Sequence, residues 1–118
     1  MISGLRAQIG ASAWLAPNLT GKLFGLDPAS NPQAAFLARL FGVRDLALAA
    51  GTLGSNGDAR TQWLRLGVAC DLADVAAAYL AGRNGTVPKH AAILAGGTAI
   101  AAAGMGVAAL SQGEPATV

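Results

Sequence analysis

The chain of 118 residues has the size of a single domain, but its composition is far from that of an ordinary soluble protein. Only 12% of the residues are charged and 53% are hydrophobic, whereas soluble domains carry about 25% charged residues. The formal charge of +2 is small, and no run of Lys or Arg is long enough to follow a phosphate backbone, so we expect no nucleic-acid partner. The long segments lack a charged outer face, and the composition therefore favours the lipid bilayer as their solvent.

The first apolar segment covers about residues 2–16 and ends at Pro17, which closes or kinks a helix. Residues 18–26 can continue it, with leucines on one side and Lys22 on another, a pattern suited to the membrane interface. Arg6 falls too early for the long apolar region of a signal peptide, so we expect this segment to belong to the mature protein.

A turn-rich linker at residues 27–32 precedes the second segment, which covers about residues 33–54. A compact loop at 55–58 leads to the third segment at about 60–82, and Asp58 is expected to cap that helix. Because the loop is short, the second and third segments are predicted to be antiparallel neighbours.

The fourth segment, at about residues 89–110, has no charge after Lys89 and consists largely of Ala and Gly. Such small residues let helix backbones approach closely in lipid. Residues 111–118 are predicted to be a disordered tail. We therefore predict an all-α fold, namely a four-transmembrane-helix bundle with short loops over residues 1–110, in a multi-pass integral membrane protein.

Four charged residues lie near the middle of the second and third segments: Arg44 and Asp45 in one, Asp71 and Asp74 in the other. The antiparallel pairing brings them into one layer, within about a helical turn of one another. Charges at the centre of apolar spans are costly and usually functional. This layer is the predicted site.

One arginine against three carboxylates leaves a local charge of −2. Three compensations are open: Arg39 folds inward, Arg65 folds inward, or one or two of the aspartates stay protonated, as desolvation and like-charge repulsion favour. A protonated aspartate beside an ionised one is an acid–base pair.

The candidate catalytic residues are therefore Asp45, Asp71 and Asp74, with Arg44 orienting them. The alternative is structural, because Arg44 and Asp71 can form a buried pair that fixes the register of two helices and binds nothing.

The predicted substrate-binding residues surround this layer: Phe41, Gly67, Ala78 and Arg39. His90 is the only histidine, and no second His or Cys stands at ligand spacing, so we expect neither a metal site nor a cofactor. Cys70 is expected to be a small buried hydrophobic residue.

Two stretches, residues 38–48 (ARLFGVRDLAL) and 63–74 (WLRLGVACDLAD), together with Ala16-Pro17 and Phe24-Gly25-Leu26-Asp27, resemble a family of small bacterial four-helix membrane proteins of unknown function. The family is similar in layout to the DoxX-like proteins, and the resemblance covers about residues 1–110. It implies the fold and a location in the bacterial inner membrane, but no activity.

Three functions fit these residues. The first is a membrane-embedded enzyme of the epoxide hydrolase, isomerase or cyclase type that acts on a lipophilic small molecule without a cofactor. The second is a proton- or cation-coupled transporter, which needs a homo-oligomer to build a pathway. The third is a non-catalytic membrane subunit or lipid-binding module. Expected partners are the lipid bilayer, a lipophilic small molecule and further copies of the chain.

Overall fold

The computed structural model describes residues 2–27 and 29–112, and all regular secondary structure within these ranges is helical. The five helices are α1 (Ile2–Leu15), α2 (Pro17–Leu23), α3 (Ala34–Leu53), α4 (Gly57–Asn84) and α5 (Lys89–Gln112). The all-α class is thus confirmed. Helix α5 extends two residues beyond the predicted end of its segment, and the rest of the predicted disordered tail, residues 113–118, lies outside the described residues.

Proline and glycine set several helix boundaries. Pro17 occupies the start of α2, where its missing N–H costs nothing because the first helical N–H groups have no partner within the helix. Gly85 ends α4 with a φ of 74°, a left-handed conformation that favours glycine. The start of α4 differs from the prediction. The helix begins at Gly57, the capping position is Asn56 with no side-chain hydrogen bond, and Asp58 lies in the first turn instead of capping it.

Helices α1 and α3 pack antiparallel with backbone atoms close together, and α4 and α5 pack antiparallel with glycines against side chains of the other helix. In the first pair, Gly10 faces Gly42, and a Cβ added to either glycine would lie 2.7 Å from the other's carbonyl oxygen. In the second pair, Gly106 lies against Val68 and Gly82 lies against Ala92. Helix α3 also packs on α4, which joins the two pairs around a shared interior.

Small side chains fill that interior and large ones cover the outside. Most of the buried hydrophobic residues are alanines, and no large side chain among the described residues is fully buried. Large apolar side chains are exposed on all the long helices, including Leu15, Leu37, Leu40, Val43, Leu66, Leu72, Tyr79, Leu80, Ile93, Ile100 and Val107. Soluble proteins rarely leave so much apolar surface uncovered.

Helix α5 is the one described helix that is both long and apolar enough to cross a membrane, with a mean hydropathy of 1.8 over Lys89–Ser111. Helices α3 and α4 have 20 and 28 residues, hence lengths of about 30 and 42 Å, but they carry too many charges to qualify by composition. One of the four predicted spans is therefore supported by composition, and the other three stay predictions.

Candidate functional site

The innermost ion pair joins α1 to α4. Arg6 donates from Nη1 to Oδ1 of Asp71 over 3.0 Å and from Nη2 to Oδ2 over 2.6 Å. The two side chains are only 6% and 4% exposed. This two-pronged geometry satisfies both carboxylate oxygens, and a buried pair needs such geometry to offset its desolvation.

A second ion pair joins α3 to α4 one helical turn away. Arg44 donates from Nη1 to Oδ1 of Asp74 over 2.9 Å and from Nη2 to Oδ2 over 2.6 Å. These side chains are 31% and 28% exposed, so they are less buried than the first pair. The Arg44 guanidinium also lies 4.5 Å from the centre of the Phe41 ring, a distance at which a cation and an aromatic ring attract each other.

Asp45 lies between the two pairs without belonging to either. Its Oδ1 is 3.7 Å from Nη1 of Arg6 and 3.6 Å from Nη2 of Arg44, which is beyond hydrogen-bond distance in both cases. This oxygen is buried and has no hydrogen-bond partner among the residues that the structure describes. We call these five residues, Arg6, Arg44, Asp45, Asp71 and Asp74, the charged cluster.

The charged cluster differs from the prediction in its second arginine. With two arginines against three aspartates, its formal charge is −1 instead of −2. Arg44 pairs with Asp74, not with Asp71 as the structural alternative assumed. Neither of the arginines proposed as compensation folds inward. Arg39 is exposed and donates from Nε to the Trp14 carbonyl oxygen over 3.2 Å, and Arg65 is exposed as well.

Sequence reasoning missed Arg6, although a signal was present. Arg6 is a lone charge inside an apolar segment, which is the feature that drew attention to Arg44. The prediction considered depth only for the two segments joined by a short loop. Contacts between α1 and α4 depend on how the helices surround the interior, and loop length does not reveal that arrangement.

Gly67 makes room for the Arg6 guanidinium. A Cβ added at Gly67 would lie 2.6 Å from Nη2 of Arg6. Gly67 precedes Asp71 by one helical turn, so both face the same neighbour. Gly67 is predicted to bind substrate, but in the structure its missing side chain leaves the space that the Arg6 guanidinium occupies.

A cavity of about 370 Å³ extends from the charged cluster toward the α2 end of the molecule. Arg6, Asp45, Asp71 and Asp74 line one end of it, and the remaining lining is almost entirely apolar. Two predicted substrate-binding residues, Phe41 and Ala78, are part of the lining. The other two, Gly67 and Arg39, lie outside it, as does Arg44. The cavity is thus a long apolar space with one polar end.

Within the described residues, no group of three or more His, Cys, Asp or Glu side chains is arranged to hold a metal ion. His90 lies with Nε2 3.2 Å from the Gly25 carbonyl oxygen, where it links the start of α5 to the end of α2. Cys70 is a partly buried free thiol.

Comparison of the chain with models of protein families, with curated proteins and with solved structures finds no match. The resemblance to the small four-helix membrane family therefore stays a prediction, and the function must be argued from the charged cluster and the cavity.

Proposed function

We propose that the chain is an integral membrane protein with α1, α3, α4 and α5 as its spans. The distribution of side chains supports this, because many large apolar residues are exposed while Arg6, Asp45 and Asp71 lie buried among small residues. In lipid, small residues mediate helix contacts and charges are tolerated where they pair inside the protein. Arg44, Asp71 and Asp74, in the middle of α3 and α4, pair in this way, so their charges are consistent with a surface that faces lipid.

We further propose that the chain is an enzyme that acts on a lipophilic small molecule by acid–base catalysis without a cofactor. One observation carries the proposal: Asp45 is 3% exposed, has an oxygen without a hydrogen-bond partner in the described part of the chain, and lines the polar end of an apolar cavity. Burying an ionisable group without a hydrogen-bond partner costs free energy. Ionisable groups that are kept buried at such a cost are concentrated at functional sites.

Asp45 is assigned the role of the acid. The Arg6–Asp71 and Arg44–Asp74 pairs are each neutral, so the charged cluster is neutral as a whole when Asp45 carries a proton. A neutral cluster avoids the large cost of an uncompensated charge in a low-dielectric interior. A protonated Asp45 can then donate its proton to an oxygen or a double bond of a molecule in the cavity.

Asp74 is assigned the role of the base. Of the two paired carboxylates, it is the more accessible, at 28% exposed against 4% for Asp71, and it lines the cavity. Arg44 touches both assigned groups, since its Nη2 is 2.6 Å from Oδ2 of Asp74 and 3.6 Å from Oδ1 of Asp45. Arg6 and Asp71 are assigned a structural role, because their buried ion pair joins α1 to α4 beside Asp45 and Asp74.

The reaction class is the opening of a lipophilic epoxide. Asp45 gives its proton to the epoxide oxygen while the carbon–oxygen bond breaks, and a water molecule forms the new bond to that carbon. Asp74 accepts the proton that the water loses. Transfer of that proton from Asp74 to Asp45 then restores the starting state. Isomerisation and cyclisation begin with the same proton transfer and need no water.

The test measures turnover of medium-chain 1,2-epoxyalkanes by the protein in lipid nanodiscs. Mass spectrometry detects the diol and isomer products. We expect the parent protein to form product and Asp45→Asn and Asp74→Asn to lose about 10²–10⁴-fold in rate. Asp58→Asn is the matched control, because Asp58 is an exposed aspartate of the same chain. Equal rates for the parent and both variants would contradict the assignment.

A second candidate is a non-catalytic lipid-binding module. The observation that favours it is that both arginines form two-pronged ion pairs between different helices, which is what a purely structural cluster requires. In that case the cavity holds a ligand that leaves unchanged, and no variant of the cluster affects any turnover. The cation-transport alternative is less consistent with the geometry, because two guanidinium groups lie within 4 Å of Asp45.

A further inference from the structure

The shape of the cavity limits the molecules that reach Asp45. Along α3, the lining includes Asp45 and Ala34, which are eleven residues apart, or about 16 Å along the helix. Along α4, it includes Asp71 and Ala81, which are ten residues apart, or about 15 Å. The two helices agree, so the cavity is elongated and ends at the charged cluster.

Almost all of this length is apolar. Alanines from α3, α4 and α5 are the most frequent lining residues, and Phe24, Leu26 and Val87 lie near the far end. Thr98 is one of the few polar residues, and its hydroxyl donates to the Leu94 carbonyl oxygen of its own helix over 2.8 Å, so it is already satisfied. Apart from Thr20 on α2, a ligand therefore finds partners for a polar group at the charged cluster and mostly apolar walls elsewhere.

The charge of the cluster limits the ligand further. Each arginine already donates from both Nη atoms to an aspartate, so a carboxylate ligand would have to compete with that aspartate for the guanidinium. An ammonium ligand would come within reach of two guanidinium groups beside Asp45. An uncharged oxygen neither competes with an aspartate for an arginine nor brings a positive charge near the guanidinium groups. It can accept a hydrogen bond from a protonated Asp45.

We propose that the cavity is a binding site for uncharged, elongated lipophiles with one oxygen at the end of the chain, and that Asp45 binds this oxygen. An extended carbon chain advances about 1.2 Å per bond, since three backbone bonds span about 3.5 Å, and a cavity of about 15 Å therefore holds a chain of about twelve bonds. This proposal rests on the proposed function for the protonated Asp45, and it adds the substrate class and its orientation.

Ala38 and Ala78 set the usable length. Ala38 is seven residues from Asp45 on α3, and Ala78 is seven residues from Asp71 on α4, which is about 10 Å along each helix. A leucine at either position blocks the far part of the cavity. The optimum should then shift from about twelve bonds to about eight. The two variants approach the same depth from different helices, so a folding defect in one leaves the other as a test.

The experiment measures binding by the full chain in lipid nanodiscs. The readout is displacement of a fluorescent fatty alcohol by 1,2-epoxyalkanes of six to sixteen carbons. We expect an optimum near twelve carbons for the parent and near eight for Ala38→Leu and Ala78→Leu. The matched controls are Ala47→Leu on α3 and Ala76→Leu on α4, which are exposed positions outside the lining and should keep the parent optimum.

Head-group specificity is tested with dodecane, dodecanoate and dodecylammonium. Each of them should bind at least tenfold more weakly than 1,2-epoxydodecane. Asp45→Leu removes the hydrogen-bond donor, so it should bind the epoxide about tenfold more weakly than the parent and no better than it binds dodecane. Equal affinity for dodecane, tighter binding of either ion, or an optimum that ignores both leucine variants would overturn the proposal. Binding that follows chain length without turnover would refute the proposed enzyme but leave this site intact, whereas turnover without chain-length dependence would do the reverse.

Discussion

Arg6 in the first helix and Asp71 in α4 form a buried two-pronged ion pair, with 2.6 Å between Nη2 and Oδ2. The two residues are 65 positions apart, and their pair joins α1 to α4 across the interior. Around this contact the chain places a second pair, Arg44–Asp74, and the unpaired Asp45. The contact therefore lies at the buried centre of the charged cluster.

The buried pair should be essential for stability. Arg6→Met leaves the buried Asp71 without compensation and should lower the free energy of unfolding by about 3–5 kcal/mol, measured by chemical denaturation in detergent. Arg6→Met combined with Asp71→Leu removes both charges and should recover most of that loss. Arg65→Met, at an exposed arginine of α4, is the control and should stay within about 0.5 kcal/mol of the parent. A single Arg6 variant as stable as this control would show that the pair contributes nothing.

Gly67→Ala should act through Arg6. The added methyl group would lie 2.6 Å from Nη2 of Arg6 and push the guanidinium away from Asp71, at a cost of about 1–3 kcal/mol. In a double-mutant cycle with Arg6→Met, the two losses should not add, because either change breaks the same contact. Gly104→Ala is the control, since a methyl group there meets open space. Additive losses would place the effect of Gly67 elsewhere.

The glycine contact between α1 and α3 should tolerate no side chain. A methyl group at Gly10 would lie 2.7 Å from the Gly42 carbonyl oxygen, a backbone atom that cannot rotate away, so Gly10→Ala should cost about 1–3 kcal/mol. Gly97→Ala places the same group in open space on α5 and should stabilise by about 0.5–1 kcal/mol, because alanine favours helix. Thermal unfolding of the two variants beside the parent gives the comparison, and shifts of the same sign would refute the packing argument.

Asp45 should carry a proton at neutral pH. The infrared spectrum of the parent should then show a carboxylic-acid C=O band that is missing from Asp45→Asn. The same band should remain in Asp58→Asn, where an exposed carboxylate has been replaced. The stability of Asp45→Asn should lie within about 1 kcal/mol of the parent, because a neutral amide replaces a neutral acid of the same shape. Identical spectra for the parent and Asp45→Asn would show that Asp45 is ionised.

The outer surface should respond to charge as a surface in lipid does. Ile100 on α5 is 60% exposed, so Ile100→Lys would be harmless in water, but near the centre of a bilayer it should cost about 2.5–3.5 kcal/mol. Membrane fractionation and thermal stability in nanodiscs measure the loss. Asn84→Lys, at the last residue of α4, is the control and should be neutral. Equal behaviour of the two lysine variants would argue against α5 as a membrane span.

The helices were largely predictable because proline, glycine and composition mark their ends. Segments predicted at 33–54 and 89–110 correspond to α3 and α5 within two residues at each boundary. Helix α4 begins three residues before the predicted position because Gly57 and Asp58 enter the first turn instead of remaining in the loop. Local signals of this kind do not report on contacts between distant segments.

The charged cluster was predictable only in part. Depth along two helices joined by a short loop placed Asp45, Asp71 and Asp74 in one layer, as the structure has them. The partners could not be assigned in the same way, because a guanidinium reaches several carboxylates from one position. Which arginine takes which aspartate depends on the rotation of each helix and on space left by a glycine such as Gly67.

The separation of Arg6 and Asp71 along the chain also bears on biosynthesis. A ribosome that adds about 5–20 residues per second makes the aspartate about 3–13 seconds after the arginine. During that interval the first helix carries a guanidinium for which its eventual carboxylate does not yet exist. The first helix can pack against α3 in that interval, but its buried guanidinium gains its two-pronged partner only when α4 has been made.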